Sequence, residues 1–358
     1  MMAVQSLQRE PPERIAVFRA LQLGDLLCAV PALRALRAAW PRARITLVGL
    51  AGAAGFVQRY ASLVDELLWF PGIAQFPEQP PHPDKLPGFF EDAQQRRFDL
   101  AIQMHGTGTL VNDLVRRMRP KRWAGFVPEP ALARPGWRYP WPADLPESMR
   151  YTALLRYMGL PVASEALWFP LQRADHVEVV ALGEKCRFAP ADTVLLHPGA
   201  RLPSRRWPSQ RFAAVGRALQ AAGWRVAVTG SPDERALTQA VLQELGAGAT
   251  DLTGLTSLGG LAALLSRTPL LICNDTGISH VAAAVGARSV VVASGSDVRR
   301  WAPLDAARHR VLAHQTPCRP CAHACCPYPD HPCATGVSVQ EVLVQAAKQL
   351  QEGRPAHG

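Results

Sequence analysis

Chemistry-bearing side chains crowd into one short stretch, Cys273-Asn274-Asp275-Thr276-Gly277-Ile278-Ser279-His280. The apolar run Pro269 to Cys273 before it has the length of a buried strand. The run from Ile278 to Val285 after it reads as a helix that ends at Gly286, a C-cap. Asp275, Thr276 and Gly277 therefore fall at a strand-to-helix turn. The first amides of a helix have no internal partner and its dipole is positive there, so the turn favours an anion. Thr276 and His280 are four residues apart and share one helical face. A hydroxyl, free amides and an imidazole converging on one point describe a phosphate or sugar-phosphate site. The plain alternative is an ordinary helix N-cap with a chance histidine one turn on.

The elements that must position this stretch alternate between strand and helix. Arg14 to Phe18 reads as a first strand, and Gly24-Asp25 opens a helical pattern of Leu26, Val30, Leu33 and Leu36. Pro31 is expected to break it into a short turn and a restarted helix. Strands follow at Arg44 to Val48, Glu66 to Phe70 and Asp99 to Gln103. Six prolines in the eighteen residues from Pro71 to Gly88 predict a loop, either a lid or plain surface. His105, Thr107 and Asn112 come after the fourth strand. A second series begins after an irregular linker at Pro161 to Gln172. It has strands at 193–197, 225–229, 270–272 and 289–292, with helices between them. Ser338 and Glu341 fit a capping box for a last helix running to about Leu350. The expected fold class is α/β, with two doubly wound Rossmann-like domains, 1–172 and 173–358, facing a cleft.

The 358 residues are 48% hydrophobic and 19% charged, a globular composition. No apolar run reaches membrane-spanning length, and Met1 to Arg14 is polar, with no signal-peptide core. The expected compartment is the cytoplasm. The net charge of +10 comes from 35 arginines and four lysines, scattered and without interleaved aromatics. That pattern suits phosphorylated ligands or an anionic membrane surface and gives no support to nucleic acid. The first turn lacks G-x-G-x-x-G and the chain has no Walker A motif, so redox and ATPase chemistries are disfavoured.

Several motifs, in order, resemble glycosyltransferase family 9, the bacterial heptosyltransferase family. They are Arg19-Ala20-Leu21-Gln22-Leu23-Gly24-Asp25 with Ala29 to Arg34, His197-Pro198-Gly199-Ala200 with Arg205-Arg206-Trp207-Pro208, and Leu252 to Leu258. Asn274 to His280 and Gly295-Ser296-Asp297 with Trp301-Ala302-Pro303 complete the set. The resemblance covers nearly the whole chain. It implies a GT-B type fold, with the acceptor held by the N-terminal domain and a nucleotide-diphosphate sugar, typically ADP-heptose, by the C-terminal one. It implies inverting transfer with no cofactor or catalytic metal, and Asp25 as general base. A carboxylate at that helix start, expected to be ionised, suits proton removal from an attacking hydroxyl. On the same basis Arg205 stands where relatives carry a phosphate-binding lysine, beside Arg206 and Ser204. Asp275, Thr276, Gly277 and His280 would hold the diphosphate and sugar, and Glu234 the ribose. His105, Thr107 and Asn112 would touch the acceptor. The acceptor class is a lipopolysaccharide core or another lipid-linked or protein glycan, with peripheral association at the inner membrane.

Five of eight cysteines fall between Cys318 and Cys333. In a reducing compartment such a cluster suits metal better than disulfides. Cys318, Cys321, Cys325 and Cys333 are the candidate ligands of a structural zinc or iron; free thiols in a loop are the alternative. Two further functions stay open: a nucleotide-sugar-binding protein without turnover, and a metal- or redox-responsive scaffold built on this segment.

Overall fold

A computed structural model describes residue 7 and residues 9–353. Residues 1–6 and 8 of the polar N-terminal stretch, and 354–358 of the second expected domain, lie outside the described residues. The chain divides into two compact units, Met1–Pro170 and Leu171–Gly358. No helix among the described residues is long and apolar enough to cross a membrane.

The first unit is a six-stranded parallel sheet of β1 (Arg14–Phe18), β2 (Arg44–Gly49), β3 (Glu66–Trp69), β4 (Leu100–Gln103), β5 (Arg122–Val127) and β6 (Arg138–Pro140). The strand order is β3-β2-β1-β4-β5-β6. The second unit contains β7 (Thr193–His197), β8 (Arg225–Val228), β9 (Ala249–Asp251), β10 (Leu271–Asn274), β11 (Ser289–Val292) and β12 (His309–Leu312). Its order is β12-β11-β10-β7-β8-β9. The first unit follows the order of a dinucleotide-type doubly wound sheet, and the second likewise reverses direction beside its own first strand. The central strands read as unbroken apolar runs because helices cover both faces. Ile15 to Phe18 and Leu270 to Cys273 are each at most 1% exposed. Register places Val17 beside Leu47 and Ile102, and Ile272 beside Leu196 and Val290.

Three local expectations are corrected. Helix Leu23–Ala39 runs through Pro31 without a break. A mid-helix proline costs about 3 kcal/mol. Here Leu27, Val30, Leu33 and Leu36 are at most 1% exposed, and burying each is worth about 1.5–3 kcal/mol, so packing wins. The proline-rich loop ends earlier than expected. A turn at Pro83–Lys85 leads into helix Leu86–Gln95, with Pro83 and Pro87 in first-turn positions that need no amide. Phe76 inserts from the loop into the core against Phe70 and His105, so its middle is anchored. Strands β5, β6, β9 and β12 and helix Glu147–Tyr157 are additions to the expected elements. Two of these strands have only three residues, too few to show a period.

One buried side chain ties together the carboxyl end of the second sheet. Asn274, fully buried at the end of β10, accepts from the Trp207 amide at 2.9 Å and donates to the Pro198 carbonyl at 2.8 Å. Trp207, also fully buried, donates its indole N–H to the Val337 carbonyl at 3.0 Å. Asn274→Ala leaves a buried amide and a buried carbonyl unpaired, and should destabilise the second unit by about 2–4 kcal/mol. Urea unfolding followed by tryptophan fluorescence measures this; a loss below about 0.5 kcal/mol would show that the loops hold without it.

Candidate functional site

In a doubly wound sheet, ligands bind beyond the carboxyl ends of the strands where the chain order reverses. Those points are β1/β4 in the first unit and β7/β10 in the second. The motif residues named from sequence fall at both.

In the second unit, β7 leads into Pro198-Gly199-Ala200 and β10 into Asp275-Thr276 and helix Gly277–Ala284. Thr276 is the N-cap residue, in extended conformation, and its hydroxyl does not bond back to the helix. It therefore stays available beside the free first-turn amides. Asp275 is fixed by its own amide, which donates to Val292 O at 3.0 Å. His280, one turn into the helix, is 6% exposed and meets the edge of Trp301, with ring centroids 6.2 Å apart. That contact joins two motifs about twenty residues apart in sequence.

The Arg205 loop is built from the same neighbourhood. Arg206 donates through Nε to the Ala200 carbonyl at 2.9 Å and so braces its own loop. Ser204 is buried, and its hydroxyl donates to the His323 carbonyl at 2.5 Å. The structure thus gives Ser204 a bracing contact where the sequence suggested a ligand contact. Arg205 lies against Gly295, whose φ is +63°. A Cβ there would overlap the Arg205 guanidinium, so glycine is required on both counts. Glu234 accepts from the Ser231 amide at 2.8 Å in a capping box. Its carboxylate is pressed over Gly199, where any Cβ would overlap it. The ribose candidate therefore lies directly beside the β7 turn. Ser294 and Ser296, which flank Gly295, each bury a hydroxyl that lacks a protein partner among the described residues. Ser296 lies within the Gly295-Ser296-Asp297 motif, whereas nothing in the sequence singles out Ser294.

In the first unit, Asp25 is the third residue of helix Leu23–Ala39 and accepts from the Gln22 amide at 3.2 Å. Its side chain keeps 22% exposure and stands 3.9 Å from the guanidinium of Arg19. Arg19 is fully buried; it donates to the Asp25 carbonyl at 2.7 Å and to Met104 O, and lies 4.2 Å above the Tyr151 ring. It also pairs with Glu147 at 3.5 Å, and Glu147 in turn accepts from Arg150 and Tyr151. Burial opposes the Arg19 charge, but Tyr151, Glu147 and Asp25 more than offset this, and its pKa stands above the ordinary guanidinium value. A permanent cation thus fixes the turn that carries Asp25. The sequence contains Arg19 in its motif, but only Glu147, 128 residues away, reveals its role.

Of the three acceptor candidates, His105 is buried, stacked on Phe76 at 4.6 Å, and its Nδ1 has no protein partner among the described residues. Burial, with the nearby Arg19 charge, lowers its pKa to about 3. Thr107 shares a hydrogen bond with Thr109 at 2.9 Å. Asn112 donates to the Phe126 carbonyl at 2.9 Å, which anchors the loop it follows.

The cysteine segment departs from expectation. Among the described residues, no three His, Cys, Asp or Glu side chains are grouped as a metal ion would need. Cys325 is exposed, whereas Cys333 is buried; burial raises its thiol pKa, with smaller contributions from Cys326 and Cys318. Cys318 instead meets the Thr316 hydroxyl at 3.3 Å, and Cys321 accepts from Arg205 at 3.4 Å. Among the described residues, Cys318, Cys321, Cys325 and Cys333 are thus not brought together as one ligand set. Burial alone would raise the Cys321 thiol, but the Arg205 guanidinium, a backbone hydrogen bond from His323 and the Arg319 charge bring it below the usual value.

Two doubly wound units, each with polar motifs at its reversal point, define an α/β protein of the GT-B type. The chain belongs to glycosyltransferase family 9 (heptosyltransferase), whose profile matches residues 89–331. It is 32% identical over 111 residues to lipooligosaccharide heptosyltransferase 2 of Haemophilus influenzae, over 30% of this chain and 32% of that protein. The match thus spans about a third of the relative's length. Among solved structures, the glycosyl transferase family 9 protein of Veillonella parvula aligns with a TM-score of 0.77 at 20% identity, covering 95% of this chain and 98% of that one. The E. coli heptosyltransferase WaaC with ADP-2-deoxy-2-fluoro heptose aligns with a TM-score of 0.65 at 18% identity, covering 94% and 99%. These alignments share the fold.

His105 is neutral in the folded chain down to about pH 3, whereas the unfolded imidazole takes a proton near pH 6.5. Its contribution to stability is complete above pH 6.5 and is lost as pH falls toward the folded value, at up to about 1.4 kcal/mol per pH unit. Between about pH 7 and pH 5, His105→Gln should therefore lose about 2 kcal/mol less stability than the wild type in urea unfolding. Equal losses would show that His105 is solvated and protonates freely.

Proposed function

We propose that the protein is an inverting glycosyltransferase that moves heptose from ADP-heptose to a hydroxyl of a lipopolysaccharide-core or other lipid-linked or protein glycan. The observation that carries this reading is the placement of each unit's motif at that unit's own reversal point. In the second unit this gathers Arg205, Glu234, Asp275, Thr276, Gly277 and His280 around the carboxyl ends of β7 and β10. A ligand-bound neighbour of the same fold, crystallised with a fluorinated ADP-heptose, supports the donor assignment. Work on a lipid-linked acceptor would bring the protein to the cytoplasmic face of the inner membrane, and the +10 charge suits that surface.

Each group then has a task. Asp25 accepts the proton of the acceptor hydroxyl as its oxygen bonds to the anomeric carbon. The bond from that carbon to the diphosphate oxygen breaks on the opposite face, which inverts the configuration. Negative charge grows on the departing diphosphate, where the first-turn amides of Gly277 and Ile278, the Thr276 hydroxyl and Arg205 meet it. This charge stabilisation comes from protein groups alone, so the reading requires no metal. Glu234 takes the ribose hydroxyls, and His280 a sugar or phosphate oxygen. Neutral His105 offers its unpartnered nitrogen to an acceptor hydroxyl.

The test is turnover with ADP-heptose and a heptose-deficient core acceptor. Asp25→Asn removes the base while keeping a partner for the Gln22 amide. We expect kcat to fall about 10²–10⁴-fold with ADP affinity within about twofold of wild type. Nucleotide binding without transfer by the wild type would favour the non-catalytic reading, and an Asp25→Asn enzyme of normal kcat would remove Asp25 as base.

A further inference from the structure

The cysteine segment takes no part in the chemistry above, yet it forms the wall against which the Arg205 turn is built. Several contacts bind it to Pro203–Arg205. The Ser204 amide donates to Ala324 O at 3.0 Å, and its hydroxyl to His323 O at 2.5 Å. His331 Nε2 lies 3.1 Å from the Ser204 carbonyl. Arg205 donates through Nη2 to the Cys321 carbonyl at 2.5 Å and through Nη1 to the Cys321 sulfur at 3.4 Å. The Cys321 amide in turn donates to Gly295 O at 2.8 Å, closing a ring of contacts around the guanidinium.

These bonds decide which way the guanidinium faces. It has five N–H groups in a fixed plane. Cys321 takes one from each terminal nitrogen, Nη1 also reaches the Ser204 hydroxyl at 3.5 Å, and no protein partner is seen for Nε among the described residues. The Nε–Nη2 edge is thus left as a two-pronged donor, the shape that matches two phosphate oxygens. A lysine at this position would be a point charge on a flexible stem, with no planar second edge for such a holder to aim. The arginine and the thiol therefore belong together as one device.

We propose that Cys321 is a positioning residue for donor binding: it clamps the Nη1–Nη2 edge of the Arg205 guanidinium so that the adjoining Nε–Nη2 edge grips the diphosphate. This rests on the assignment of Arg205 to the donor, and it adds a role for the cysteine segment that needs neither a metal nor redox change. Cys325, exposed on the same segment, has no such role.

The test is a double-mutant cycle read as the Kd for ADP by calorimetry on the full chain, with donor KM and kcat measured alongside. Cys321→Ala removes the sulfur contact while the backbone carbonyl keeps its own, and should raise the ADP Kd roughly 3- to 10-fold, the scale of one ordinary hydrogen bond. It should raise the donor KM in parallel and leave kcat at saturating donor within about twofold. Cys321→Ser, which keeps an acceptor, should recover part of the loss, and Cys325→Ala should match wild type. In an Arg205→Lys background, Cys321→Ala should add less than about twofold. If Arg205→Ala weakens ADP while Cys321→Ala does not, the clamp is overturned and the donor assignment stands. If wild type binds no ADP, both fall. Equal losses from Cys321→Ala in the wild-type and Arg205→Lys backgrounds would make the effect general to the loop and overturn the pairing. Metal found in the purified wild type and released by Cys321→Ser, along with ADP binding, would do the same in favour of a metal-stapled segment.

Discussion

The second unit depends on one carboxamide. Asn274 stands where β10 ends, and its two faces bond to two other loops, one after β7 and one before helix Ser209–Ala221. Parallel sheets send every strand to the same edge, and the loops that leave that edge have no ladder to fix them. A fully buried Asn in their midst supplies what the backbone cannot, because an amide carries a donor and an acceptor a short distance apart. The same low-dielectric setting that strengthens these bonds makes their loss costly, so the three loops keep one relative arrangement. Arg205, Thr276 and Gly199 inherit their positions from it.

The first unit reaches the same end with charge. Arg19 is buried just past the end of β1, where an unpaired guanidinium would be prohibitively costly. It is tolerated because Glu147, the Asp25 carbonyl and the Met104 carbonyl each take one of its donors and the Tyr151 ring covers its face. Helix Glu147–Tyr157 is thereby locked to the turn that presents Asp25. A carboxylate held by its backbone from a rigid cation is preorganised in a way that a surface N-terminal aspartate is not.

Much of this was legible in the chain. The apolar runs at Arg14–Phe18, Thr193–His197 and Ser289–Val292 read as strands because both of their faces are buried. The strand-to-helix turn at Asp275-Thr276 was visible because Gly277 and Gly286 punctuate it. What escaped was long-range pairing. Nothing local marks Arg19 as the partner of Glu147, Asn274 as the clamp for Trp207, or Cys321 as the counterpart of Arg205. Pro31 misled because propensity speaks for a helix alone, whereas this helix is stabilised by a buried face. The cysteine spacing suggested four ligands, but Cys325 is left exposed while Cys321 takes Arg205, a choice set by the fold of the segment and not by counting residues.

The central claim is that a nucleotide diphosphate binds at the β7/β10 reversal point of the second unit. Amide hydrogen exchange of the full chain, with and without saturating ADP, tests it directly, since bound ligand protects the backbone it touches. The account predicts slowed exchange confined to Gly199–Arg206, the turn at Ser231–Arg235 and Thr276–His280, with Gly295 and Ser296 alongside. Protection limited to the loops after β1 and β4, or none at a concentration where ADP binds, would contradict it.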